Sequence, residues 1–147
     1  MNRLRTLGIR VAILAAVVLG FLCSTTVAGE KLATDAPLRA GMIAIRDLVR
    51  LNHSLITHRR MPADHAQRFA RAIKAEADTI LATSTVSGDA KERLSALLDE
   101  VTAGVDAVAN TERGVAPMDG LVRIDEALAR YPHEFDHPGW APVQSLE

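Results

Sequence analysis

Five histidines carry most of the chemistry this 147-residue sequence offers, and three of them fall close together. His53, His58 and His65 surround the break in "LITHRRMPADHAQRF". Imidazole is a common ligand for zinc and copper. If His53 lies near the end of one helix and His65 near the start of the next, an antiparallel pairing brings those ends together, with His58 in the turn between them. Asp64 is the carboxylate at ligand spacing. The plainer reading is three solvated histidines beside a helix hairpin. His133 and His137, in "YPHEFDHPGW", are four apart, the spacing of a helical metal pair. Pro132 and Pro138 bracket them, however, and proline lacks the N–H that a helix needs. The stretch therefore reads as a helix-ending cap, with Tyr131 and Phe135 toward the core and both histidines in water. A metal at His133 and His137 is then confined to the surface. Met42 together with His133 would imitate the axial ligands of a b-type haem, but a methionine in an apolar stripe is more often core filler.

Other polar residues invite a similar comparison. Asn52 projects between Val49 and Ile56, inside an apolar stripe, where a buried amide without partners costs about 1–3 kcal/mol. It reads as a register device, with a ligand-facing group as the alternative. Arg39, Arg46 and Arg50 share one flank of the first helix. They could hold an anion, but pairing with acids such as Glu76 or Asp125 on neighbouring helices is the simpler expectation. No nucleophile–base–orienter set, HExxH, phosphate loop, dinucleotide fingerprint or repeated Glu-x-x-His pair occurs. The expectation is a protein without a catalytic centre.

The elements that must position these residues follow from apolar spacing. Leu38, Met42, Ile45, Val49 and Ile56 define a first helix, about 36–57, opened by Thr34 and Asp35 as cap types and by Pro37 in its first turn. Phe69, Ile73, Ala77 and Ile80 define a second, about 62–83. A plain linker follows. Asp89 and Glu92 then read as a capping box for a third helix, about 90–109, carrying Leu94, Leu98, Val101, Val105 and Val108. Leu121, Ile124, Leu128 and Tyr131 define a fourth from Pro117, which Pro132 should end or kink. Four such helices with short connections predict an all-α, up-down-up-down four-helix bundle. A tail extends from about residue 138, and Trp140 is placed to fold back over a bundle end.

The N-terminus fixes the expected compartment. "MNRLRTLGIR" is basic, "VAILAAVVLGFL" is apolar, and Thr26 and Ala28 suit a cut after Ala28. This is the order of a cleavable signal helix, residues 1–28, and it predicts a periplasmic domain of residues 29–147. The alternative is anchorage to the inner membrane by the uncleaved helix, although a span needs about 20 apolar residues. Leu22 before Cys23, the one cysteine, argues against lipidation. Cleavage removes that cysteine, and with it disulfide, thiolate and c-type haem chemistry. The formal charge is −1 for the whole chain, and losing Arg3, Arg5 and Arg10 takes it to −4. No basic field remains for a nucleic-acid partner.

Two stretches also carry a likeness. "ATDAPLRAGMIAIRD" (Ala33 to Asp47) and the run from Ala127 to Trp140, which ends in "FDHPGW", resemble a family of small exported helical proteins of Gram-negative bacteria, of unassigned function. There a TDAPLRxGM-type stretch follows the signal and a later helix ends in an FDHPGW-type motif. The resemblance implies export and an all-helical domain, and carries over no site residue. Together these readings predict an exported binding or interaction module with an unknown protein or small-ligand partner. The alternative is a copper-, zinc- or haem-binding bundle using histidines near the first helix turn.

Overall fold

The computed structural model describes residues 30–110 and 116–143. The expected signal helix of residues 1–28 lies outside the described residues. Four helices follow one another: α1 (Ala36–Thr57), α2 (Ala63–Thr83), α3 (Gly88–Ala109) and α4 (Pro117–Glu134). Each turns one stripe inward, and the stripes meet in a single core. Leu38, Met42, Ile45 and Val49 of α1 are wholly buried, as are Ile73, Val101, Val105, Leu121, Ile124 and Tyr131 from the other three helices. Consecutive helices run antiparallel. Gln67, early in α2, donates to the carbonyl of Ala109 at the end of α3 (3.1 Å). Arg130, late in α4, reaches Glu100 near the middle of α3 (2.6 Å). The result is a four-helix bundle in which α3 and α4 pack most intimately and α1 meets α4 more lightly than consecutive helices meet. No helix among the described residues is long and apolar enough to cross a membrane.

The start of α1 is held by one carboxylate. Asp35 is the N-cap, accepting from the Leu38 N–H at 2.9 Å. The same carboxylate accepts from the Ser84 hydroxyl (3.0 Å), the Thr85 N–H (2.5 Å) and the Thr85 hydroxyl (3.0 Å). The connection between α2 and α3, a plain linker by sequence, is thereby fastened to the first turn of α1. Burial pushes the Asp35 carboxyl up, but the donors from Leu38, Thr85 and Ser84 outweigh it and hold the pKa at about 2.

Several sequence expectations change. α3 starts at Gly88, ahead of the proposed capping box, with Ser87 as N-cap and no side-chain cap bond. Gly88 has φ +57°, a left-handed turn into the helix that glycine permits without strain. Pro132 does not end α4, which runs on to Glu134. Proline lies so near the C-terminus that it removes a single bond of the last turn. The arginine flank of α1 does not pair with Glu76 or Asp125. Arg46 meets Asp47 at 2.9 Å, Arg50 approaches the same carboxylate at 3.8 Å, and Arg39 donates to the carbonyl of Thr34 at 2.8 Å.

Candidate functional site

The sequence candidates gather at two ends of the bundle. At the end where α4 finishes, the chain beyond Phe135 folds back. Leu32 donates to the Glu134 carbonyl (2.8 Å) and accepts from Asp136 N–H (2.9 Å), forming an isolated bridge between the segment before α1 and the segment after α4. Tyr131 stacks on Phe135 with ring centroids 5.2 Å apart and meets Trp140 edge-on at 4.7 Å. Arg46 lies over the Trp140 ring, 5.3 Å from its centroid. Trp140 thus covers a bundle end, and the tail from 138 is folded onto the domain at this point. His137 overturns an expectation: it is buried, not wet. The Tyr131 phenol and its Nδ1 are hydrogen-bonded at 2.9 Å inside the fold. His133 stays exposed in the last turn. The two histidines four apart therefore do not form a pair on one face. Burial raises the Tyr131 phenol well above its usual pKa. Burial lowers His137, and the charges of Arg39 and Arg46 lower it further. Both groups are neutral and held by each other.

Near the other end, the remaining histidines point to separate partners. Asn52 is buried and donates to the Leu48 carbonyl (2.8 Å), while its oxygen accepts from His65 Nε2 (2.8 Å). The amide thus locks α1 to α2, the register role expected of it. His53 turns the other way and donates from Nε2 to Asp125 Oδ2 on α4 at 3.3 Å. Burial pushes the Asp125 carboxyl up against the pull of His53. Its Oδ1 is buried with no hydrogen-bond partner among the described residues. His58 is the C-cap of α1 and donates from Nδ1 to the Ser54 carbonyl (2.8 Å). Among the described residues no group of three or more His, Cys, Asp or Glu side chains is arranged to hold a metal ion. Met42 is buried in the core, whereas His133 is exposed.

Beside this polar network the four helix ends leave a cleft of about 500 Å³. Leu55 and Ile56 of α1, Ala66 of α2, Val108 of α3, Pro117 of α4 and Met61 of the α1–α2 turn shape it. Arg59 lines it too, and sequence reasoning passed over that residue. It is the one non-glycine with positive φ among the described residues (φ +53°). Its N–H donates to the Ile56 carbonyl (3.0 Å) and the next N–H, of Arg60, to the Leu55 carbonyl (2.8 Å). Those two bonds form a Schellman ending, where glycine is the usual residue because an L side chain costs about 1–2 kcal/mol in this conformation. The signal was available: "THRRMP" contains no glycine for a helix ending that needs a left-handed residue.

Fold and site together define an all-α four-helix protein with an apolar cleft at one bundle end and an aromatic cap at the other. The chain matches no family model, no curated protein and no solved structure.

Proposed function

We propose that this chain is an exported, non-catalytic helical bundle that works by binding, and that the cleft at the α1–α2 turn takes an apolar small ligand. The observation that carries the reading is the cleft itself. Its volume, about 500 Å³, falls in the range of small-molecule sites, and apolar side chains make up most of its walls. The groups with catalytic potential are engaged in holding the fold: His137 with Tyr131, His65 with Asn52, and His53 with Asp125. Export to the periplasm rests on the basic, apolar and small-residue order of residues 1–28, and the resemblance of both ends of the domain to exported helical proteins agrees with it.

The test is a titration of decanol and of decanoate, below their micelle concentrations, into the intact protein. Either ligand should raise the melting temperature, because a ligand that binds the native state stabilises it, and should shift the methyl resonances of Ile56 and Val108. If neither ligand does so, the cleft is not a binding site. For export, mass spectrometry of the protein recovered from the periplasm should show an N-terminus at Gly29, whereas a retained Met1 would mean an anchored protein.

One observation favours a second reading, metal binding near the first helix turn: the unpartnered Oδ1 of Asp125 beside His53. Stoichiometric zinc or copper in the purified protein, lost on His53→Ala, would support it. A Soret band would support haem instead.

A further inference from the structure

We infer that the cleft is selective for a single-chain amphiphile with an anionic head, the tail lying among Ile56, Met61, Ala66 and Val108 and the head meeting Arg59. This deepens the binding role proposed above and rests on it.

Arg59 is the one charged residue on the cleft wall among the described residues. The side chains that line the cleft, Arg59 apart, are apolar, so the part of a ligand that lies among them is apolar. Among the described residues, Arg59 at the exposed rim is the lining group that meets a charged head. Arg60 follows directly and adds positive charge there, while the nearby Asp64 carboxylate is already held by Arg68 at 2.6 Å. The backbone supplies an independent argument. Arg59 occupies a left-handed position that glycine would fill without strain, and the N–H bonds of Arg59 and Arg60 fix that turn on both sides. A strained side chain rooted in a rigid turn at a cleft mouth is what presentation of a guanidinium requires. Guanidinium and carboxylate match as a two-pronged, charge-assisted pair.

The same chemistry could come from a free fatty-acid-like molecule or from an anionic bilayer. The cleft is a concave site of about 500 Å³ enclosed by four helix ends and not a flat basic face, so the free molecule is the source assigned here.

The experiment compares decanoate with decanol on the intact protein and on Arg59→Gly. That substitution removes the charge and relieves the left-handed strain, so the variant should fold and melt higher than the parent. Decanoate should bind the parent about tenfold tighter than decanol, the scale of one charge-assisted pair. Arg59→Gly should lose that advantage, so that the variant binds decanoate no more tightly than decanol. Equal binding of decanoate and decanol by the parent, or an undiminished decanoate preference in the variant, would overturn the inference and leave an apolar cleft standing. Failure of both ligands would overturn the cleft as a site altogether. Co-sedimentation with phosphatidylglycerol vesicles without binding of monomeric decanoate would assign the chemistry to a membrane surface and overturn the free-ligand source.

Discussion

Tyr131 and His137 meet inside the fold, phenol to Nδ1, at 2.9 Å. This contact joins the end of α4 to the returning tail, and Trp140 packs against both rings, 4.7 Å from Tyr131 and 5.2 Å from His137. The cap is therefore one unit, and its state depends on the neutral imidazole. The pKa of His137 is below its ordinary value of 6.5 because of burial and then the charges of Arg39 and Arg46. As pH falls, the unfolded chain takes up the proton first. Stability is full above pH 6.5 and declines as pH falls from 6.5 toward the lowered folded value. Denaturant midpoints should be lower at about pH 5 than at about pH 7.5, where histidine titration separates the two conditions. Emission from Trp140, the sole tryptophan, should follow the same change. His137→Gln should flatten both profiles in that window, and an unchanged slope would place the effect elsewhere.

Asp35 gives a second, separate acid window. Its folded pKa, about 2, lies below the model-compound value of 3.8. The stability it contributes is present above pH 3.8 and lost as pH falls through the interval down to about 2. Asp35→Ala removes the helix cap and leaves Thr85 N–H to water. A loss of about 2 kcal/mol is expected at neutral pH, at the upper end for a single cap. Asp35→Asn should lose less, because an amide oxygen can still accept from Leu38. Urea unfolding of the three proteins checks the order.

Periodicity made the helices readable because each stripe keeps its three- and four-residue spacing, from Leu38 to Ile56 with Asn52 as its one polar member and from Leu121 to Tyr131. Asn52 stood out for the same reason, as a polar residue on an apolar face. Pro132 and Pro138 make the sequence put His137 in water, and only the chain's return past Phe135 places an imidazole against Tyr131. The capping box at Asp89 failed because Gly88 can turn into the helix earlier. The cleft was beyond reach by sequence, since it is made of residues from four helix ends that no local spacing relates. Arg59 was half visible, in a helix ending without glycine.

Asn52 and His65 should act as a pair. The amide uses one N–H on Leu48 and its oxygen on His65, so Asn52→Ala leaves a half-buried imidazole without its acceptor. A loss of about 1–3 kcal/mol is expected for the single change. His65→Ala should cost at least as much, because it leaves the more deeply buried Asn52 oxygen without its donor. A double-mutant cycle by urea denaturation should give a coupling of about 0.5–1.5 kcal/mol, the net worth of one hydrogen bond. Strict additivity would mean that the two residues contribute independently.

The tightest helix contact supplies the sharpest stability prediction. Gly104 of α3 and Gly120 of α4 face each other where those helices cross. A methyl on Gly104 would lie 2.8 Å from the Gly120 carbonyl oxygen, and one on Gly120 would lie 2.5 Å from the Gly104 carbonyl oxygen. Both carbonyls are backbone and cannot swing aside as a side chain would, and a methyl on Gly104 would also lie 2.6 Å from Ile124 Cγ1. Elsewhere in a helix, glycine to alanine is favourable by roughly 0.8–1 kcal/mol through propensity. Here overpacking opposes that gain, at about 1–3 kcal/mol or more, since α3 and α4 must separate. Gly120→Ala should therefore lower stability despite its better propensity, and by more than Gly104→Ala, whose obstacle lies slightly farther away. Separation of α3 and α4 would also disturb Val108, on the cleft wall, so Gly120→Ala should weaken decanol binding as well. Thermal unfolding of both variants decides the matter: an increase in melting temperature for either would show that the two backbones are not in contact.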